Sequence, residues 1–127
     1  MRVLGIGIDV VEVERVSSAI RRHGEPFLAK IFTTAEREYC ESRKNPAMHY
    51  AARFAAKEAA SKALGTGIGG NAGLHDLEII HDAKGAPLLR LAGAAGAFAK
   101  QQGITEIRIS LTHAREYAAA NAIALAD

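Results

Sequence analysis

The chain has 127 residues, 49% hydrophobic and 24% charged, which excludes a disordered or fibrous polypeptide and is enough for one core without cross-links. A formal charge of +2, with no Lys/Arg run and few aromatics, argues against a nucleic-acid binder and suits an acidic or phosphorylated ligand. The lone cysteine, Cys40, excludes an internal disulfide and points to a reducing compartment.

The first apolar residues, Val3 to Ile8, are too few for a secretion leader and are broken by Asp9. No window approaches the ~20 apolar residues of a membrane-spanning helix. The expected setting is therefore the cytoplasm. Residues 2–8 alternate and are rich in Val and Ile, which predicts a strand ending at Asp9. Val13, Val16, Ala19 and Ile20 recur at helical spacing, so a helix is expected from Val11 to about Arg22, stopped by Gly24. A short apolar piece, 27–32, follows. Thr33 or Thr34, with Glu36 downstream, forms a capping box for the next helix, and Asn45-Pro46 ends it and starts another.

That helix, about 47–64, is loaded with alanine, the best helix former. It is apolar nearly all round, as a buried helix is. It still carries Arg53, Lys57, Glu58 and Lys62, and charges on such a helix need partners or a ligand. Glu58 and Lys62 are four apart on one face, on a stripe with Ala51, Phe54 and Ala55; Arg53 and Lys57 form a second such pair. Residues 65–70 then hold four glycines. Gly65 serves as the helix cap, and the others permit close backbone approach to a ligand. The loop is neither a P-loop nor a dinucleotide turn.

Strands are expected at 76–81 and 86–91 around the turn Asp82-Ala83-Lys84-Gly85, then a helix at 92–102 closed by Gly103. Ile107, Ile109 and Leu111 alternate with polar residues, predicting a strand with one buried face. The alanines of Tyr117 to Leu125 allow a helix, but the position after Thr112-His113 favours a closing strand. Grouped helices and strands indicate an α+β fold in a single domain, 1–127, with a mostly antiparallel sheet packed on the long Ala-rich helix.

Asp9, between strand and helix, is read either as a helix N-cap or as a metal ligand at a strand end. Cys40, without a nearby His in sequence, reads as a half-buried packing residue. His23, His49, His75 and His81 lack ligand-like spacing and are assigned no role. With no zinc motif, two carboxylates favour a hard cation such as Mg²⁺.

Four segments carry a resemblance: Gly5-Ile6-Gly7-Ile8-Asp9-Val10-Val11-Glu12-Val13; Ile31-Phe32-Thr33-Thr34-Ala35-Glu36; the stretch from Arg53 through Lys57-Glu58-Ala59-Ala60-Ser61-Lys62 to Gly65; and Ser110-Leu111-Thr112-His113. In order and over almost the whole chain, they are similar to the small holo-acyl-carrier-protein synthase group of 4′-phosphopantetheinyl transferases. The resemblance implies that fold, and transfer of phosphopantetheine from coenzyme A to a serine of apo acyl carrier protein in fatty acid biosynthesis. It implies Asp9 and Glu58 as Mg²⁺ ligands, and Glu58 and Lys62 as the catalytic pair. Arg53, Gly65, Gly67 and His113 become coenzyme A contacts, and Arg15, Arg21 and Arg22 of the first helix become the carrier-docking surface. A homotrimer with sites between subunits is implied as well. Two other classes compete. Actin-like or ribonuclease-H-like enzymes also place an Asp after an apolar strand, but need more strands and acids. A non-catalytic oligomeric binding module would make Asp9 a cap and Glu58–Lys62 a buried pair.

Overall fold

Alternating β-branched residues and glycines build β1 (Arg2–Glu12) at one edge of a three-stranded antiparallel sheet. A computed structural model describes all 127 residues. β5 (Tyr117–Ala126) lies in the middle of this sheet and β4 (Glu106–His113) at its other edge. The register pairs Asp9 with Ala120 and Ser110 with Asn121. β1 thus runs three residues past Asp9. Asp9 is a strand residue and not a cap, because its backbone is held in the ladder opposite Ala120. The first helix, α1 (Val13–His23), starts later than expected, and Glu12 precedes it without a capping side-chain bond.

Gly24 closes α1 at φ 59° and opens α2 (Glu25–Ile31), so the short apolar piece is itself a helix, with Pro26 in its first turn. α3 (Thr34–Glu41) begins with the anticipated capping box between Thr33 and Glu36. α4 (Pro46–Leu64) ends at Gly65, whose φ of 85° only glycine adopts without strain. β2 (Leu77–His81) and β3 (Pro87–Leu91) form a separate hairpin, followed by α5 (Gly93–Gln101). No helix is long and apolar enough to cross a membrane.

α4 lies across the inner face of the large sheet. Its alanines Ala55, Ala56, Ala59, Ala60 and Ala63 meet Ala120, Ala122 and Ala124 of β5 in one buried cluster. Small side chains on both surfaces let the backbones approach closely. The approach is tightest at β1, where Gly5, Gly7, Asp9 and Val11 are the inward-facing residues. A Cβ on Gly7 would fall 1.9 Å from the Ala59 carbonyl oxygen, and one on Gly5 would fall 2.1 Å from that of Ala63. Those obstacles are backbone atoms and cannot rotate away. Gly7→Ala is therefore expected to destabilise the fold by about 1–3 kcal/mol or more. Gly70→Ala, where a Cβ meets nothing within 4 Å, should stay within about 0.5 kcal/mol. Urea unfolding of both variants measures the difference; equal midpoints would refute the close approach.

A second cluster joins α1 to α4 through Val13, Val16, Leu28, Phe32 and Tyr50. Cys40 belongs to it and is wholly buried, more than the half-burial expected. Burial pushes its thiol up to about 12, which suits packing and not nucleophilic chemistry. Between the clusters sits Lys57, fully buried on α4. Its Nζ lies 2.8 Å from Glu36 Oε1 and donates to the carbonyls of Leu77 (2.8 Å) and Leu74 (2.9 Å). Glu36 Oε2 accepts the Ile79 amide at 2.8 Å. This network ties α3, α4 and β2 together. Lys57 thus turns to Glu36 and away from Arg53, and the two cations spaced four apart serve different neighbourhoods.

The outer face of β1 reverses the usual order of inside and outside. Ile6, Ile8 and Val10 are 71%, 66% and 59% exposed, while the glycines point inward. Ile123 of β5, paired with Ile6, extends this apolar surface.

Candidate active site

The glycine contacts that seat β1 on α4 also bring Asp9 to the last turns of that helix. Glu58 and Lys62, one turn apart, face it. Lys62 Nζ donates to the Ile8 carbonyl at 2.9 Å and lies 3.3 Å from Asp9 Oδ1. Asp9 and Glu58 line one groove of about 590 Å³ whose other walls are largely apolar, with Phe27, Phe32 and Phe54 among them. Burial raises the Glu58 carboxyl above the ordinary carboxylate range, and the neighbouring Asp9 charge raises it further against the pull of Lys62.

Two carboxylates held where they repel each other are relieved by a cation between them. The protein donors here are oxygens, including the nearby Ile8 carbonyl. No group of three or more His, Cys, Asp or Glu residues could hold a metal. A site with two carboxylates, completed by substrate and water oxygens, fits Mg²⁺ better than zinc.

A second constellation lies on another face of α4. Arg53 is 3% exposed and has no carboxylate partner. Its Nη1 donates to the His49 carbonyl at 3.2 Å, its Nη2 lies 2.9 Å from His81 Nε2, and its Nε is buried with no partner. His49, His81, His113, Tyr39 and Arg53 line one small cleft with Gly85 of the hairpin turn and Pro87 of β3. Burial is the main force lowering both His49 and His81; Arg53 lowers both further, and His113 adds to the effect on His49. Arg53 is thus the standing charge of the cleft. A buried guanidinium without a carboxylate partner keeps a charge that an anion could meet.

The sequence-derived candidates therefore fall into separate groups. Asp9, Glu58 and Lys62 converge. Arg53 and His113 converge elsewhere, and the two clefts share no lining residue. Gly65 and Gly67, both at positive φ in the loop after α4, line neither. Arg15 lines the groove of the acid pair. Arg21 is tied to Glu14 and Ser17, both at 2.8 Å, and Arg22 is exposed. The sequence assigns no role to His49, His81 or Tyr39. Spacing offered a partial signal for His49 alone, four residues before Arg53 on the same helix; His81 and Tyr39 arrive from other elements.

A sheet wrapped on an alanine-rich helix, with an acid pair at their junction, defines a class of small α+β proteins. The chain belongs to the 4′-phosphopantetheinyl transferase superfamily, whose family model matches residues 5–122. Within it, the chain is similar to holo-[acyl-carrier-protein] synthases. That of Ruminiclostridium cellulolyticum is 50% identical over 119 residues, covering 93% of this chain and 89% of the relative. The crystal structure of the Neisseria meningitidis synthase matches with a TM-score of 0.91 at 32% identity, over 98% of this chain and 99% of that one. The Helicobacter pylori synthase in complex with coenzyme A matches with a TM-score of 0.84 at 30% identity, over 94% of this chain and 99% of that one.

Proposed function

We propose that this chain is a holo-acyl-carrier-protein synthase, a transferase that moves 4′-phosphopantetheine from coenzyme A to a serine of apo acyl carrier protein. The observation that carries the reading is that Asp9 and Glu58 line one groove while Lys62 lies 3.3 Å from Asp9, in a chain of this family. The serine oxygen attacks the β-phosphorus of coenzyme A, and the bond from that phosphorus to the bridging oxygen breaks. Adenosine 3′,5′-bisphosphate leaves. Asp9 and Glu58 hold Mg²⁺, which when bound supplies charge neutralisation at the pyrophosphate. Lys62, one turn from Glu58, adds a cation for the phosphate oxygens. Glu58 stands to receive the serine proton, directly or through a water. The buried Arg53 and the exposed His113 offer an anion site to the phosphates of coenzyme A; Gly65 and Gly67, outside both clefts, are assigned as backbone contacts to another part of that ligand.

The rival reading, a binding module with a buried structural pair, fits less well. Lys62 pairs with Asp9, and Glu58 is left without an ion pair on a largely apolar stripe. The homotrimer is part of the proposal and has two supports: the exposed row Ile6, Ile8 and Val10, and the separation of acid pair and anion cleft onto different faces of one chain. A ligand spanning both would lie between copies. Docking of the acidic carrier is assigned first to Arg15, beside the groove, with Arg22 nearer the helix end; Arg21 already answers Glu14. The whole chain serves as one domain, in the reducing cytoplasm that its unlinked cysteine suits.

The test is the intact mass of an apo carrier protein after incubation with this chain, coenzyme A and Mg²⁺. A gain of one phosphopantetheine arm, abolished by EDTA, is expected. No gain with several carriers from folded protein would overturn the assignment. Sedimentation of the same sample should give three chains, and Arg15→Glu should slow transfer most at low salt.

A further inference from the structure

Arg53 is held in an unusual way. Buried cations are normally fixed by carboxylates, and here there is none. What surrounds the guanidinium is a ring. Its Cζ sits 4.1 Å from the centroid of Tyr39, which α3 contributes from across the cleft. The same ring stacks on His81 at 4.2 Å with an interplanar angle of 18°, and His81 Nε2 lies 2.9 Å from Arg53 Nη2. Arg43, on the segment after α3, places its Cζ 4.3 Å from the ring centroid. His49 meets Tyr39 edge-on at 5.9 Å and His113 at 5.0 Å. One aromatic ring therefore touches two guanidiniums and two imidazoles. A carboxylate in its place would fix Arg53 equally well but would neutralise it and repel an incoming phosphate. An aromatic face attracts the cation through its quadrupole and leaves the net charge in place.

We propose that Tyr39 is a positioning residue for anion binding: its ring aims Arg53 into the cleft while keeping the charge free for a phosphate group of coenzyme A. This rests on the reading that the cleft receives coenzyme A. The ring acts through Arg53 and touches no reacting atom. Its hydroxyl makes no bond that the role needs, so the aromatic face is the working part.

The experiment is a double-mutant cycle on coenzyme A affinity, read by calorimetry and by KM, with Tyr39→Leu, Arg53→Gln and the pair, plus Tyr39→Phe. Tyr39→Leu should weaken coenzyme A binding about tenfold, with kcat at saturating coenzyme A little moved. Tyr39→Phe should recover most of the loss. The pair should bind about as weakly as Arg53→Gln alone, because the ring has nothing left to aim. Tyr39→Met replaces Leu in the cycle if thermal melts show the Leu variant unfolded at the assay temperature. Additive losses, or a Tyr39→Phe variant as weak as Tyr39→Leu, would overturn the role and leave the coenzyme A reading standing. Unchanged affinity in Arg53→Gln would instead remove coenzyme A from this cleft, and the proposal with it.

Discussion

Glu58→Gln should leave the chain folded and cut phosphopantetheine transfer by at least about a hundredfold. Loss of residues that merely support metal ligands costs about 10–100-fold, and a direct ligand matters more. The fold should not suffer. Burial and the Asp9 charge both oppose ionisation of Glu58, so a neutral amide relieves a strain that the native carboxylate carries at neutral pH. Two measurements separate chemistry from stability: the rate of carrier mass gain, and the melting temperature with and without Mg²⁺. The native chain should melt higher with Mg²⁺, since a ligand bound only to the folded state stabilises it, and the variant should not. A variant that transfers within tenfold of the native rate would remove Glu58 from the site. Asp9→Asn should behave alike. Because Asp9 lies within the β1 ladder, its loss no longer carries the cost of a missing helix cap.

The second large effect is on stability. Lys57→Met leaves Glu36 buried and charged with no cation beside it, which costs about 3–5 kcal/mol. Glu36 is 1% exposed, so water cannot compensate. Adding Glu36→Gln should recover part of the loss, because a neutral amide no longer needs the ammonium. Recovery is incomplete, since Glu36 also accepts the amides of Thr33 and Ile79, each at 2.8 Å. Urea unfolding of the native chain, Lys57→Met and the double variant measures all three. A double variant less stable than the single one would show that Glu36 serves as amide acceptor more than as counter-ion. The same network extends to Glu78, which bonds Thr33 at 2.6 Å and pairs with Arg90.

Much of the local structure was legible in the chain. The capping box at Thr33 and Glu36, the glycine stop at Gly65, the hairpin turn at 82–85 and the period-two pattern of Ile107, Ile109 and Leu111 are local signals, and each element formed where they lie. The miss at Asp9 has a physical cause. Val10 and Val11 suit a strand as well as a helix, and pairing with Ala119 and Ala118 of β5 decided for the strand. The piece 27–32 has too few residues for a period to show, and it became helical by packing Leu28 and Ile31 into the second cluster.

The sequence by itself determined the α+β order, the buried character of α4 and the family, through motifs spread along the whole chain. It could also say that charges on an apolar helix must find partners. Which partner each one found was decided by tertiary structure. Lys57 and Glu58 are neighbours in the chain, yet one is locked to Glu36 inside the protein and the other faces Asp9 in a groove. Arg53 meets Tyr39 and His81 from elements 14 and 28 residues away. Successive helical residues point about 100° apart, so adjacent charges are sent to different environments. What waits in each environment depends on long-range packing, here set by two glycines that let β1 rest against the backbone of α4.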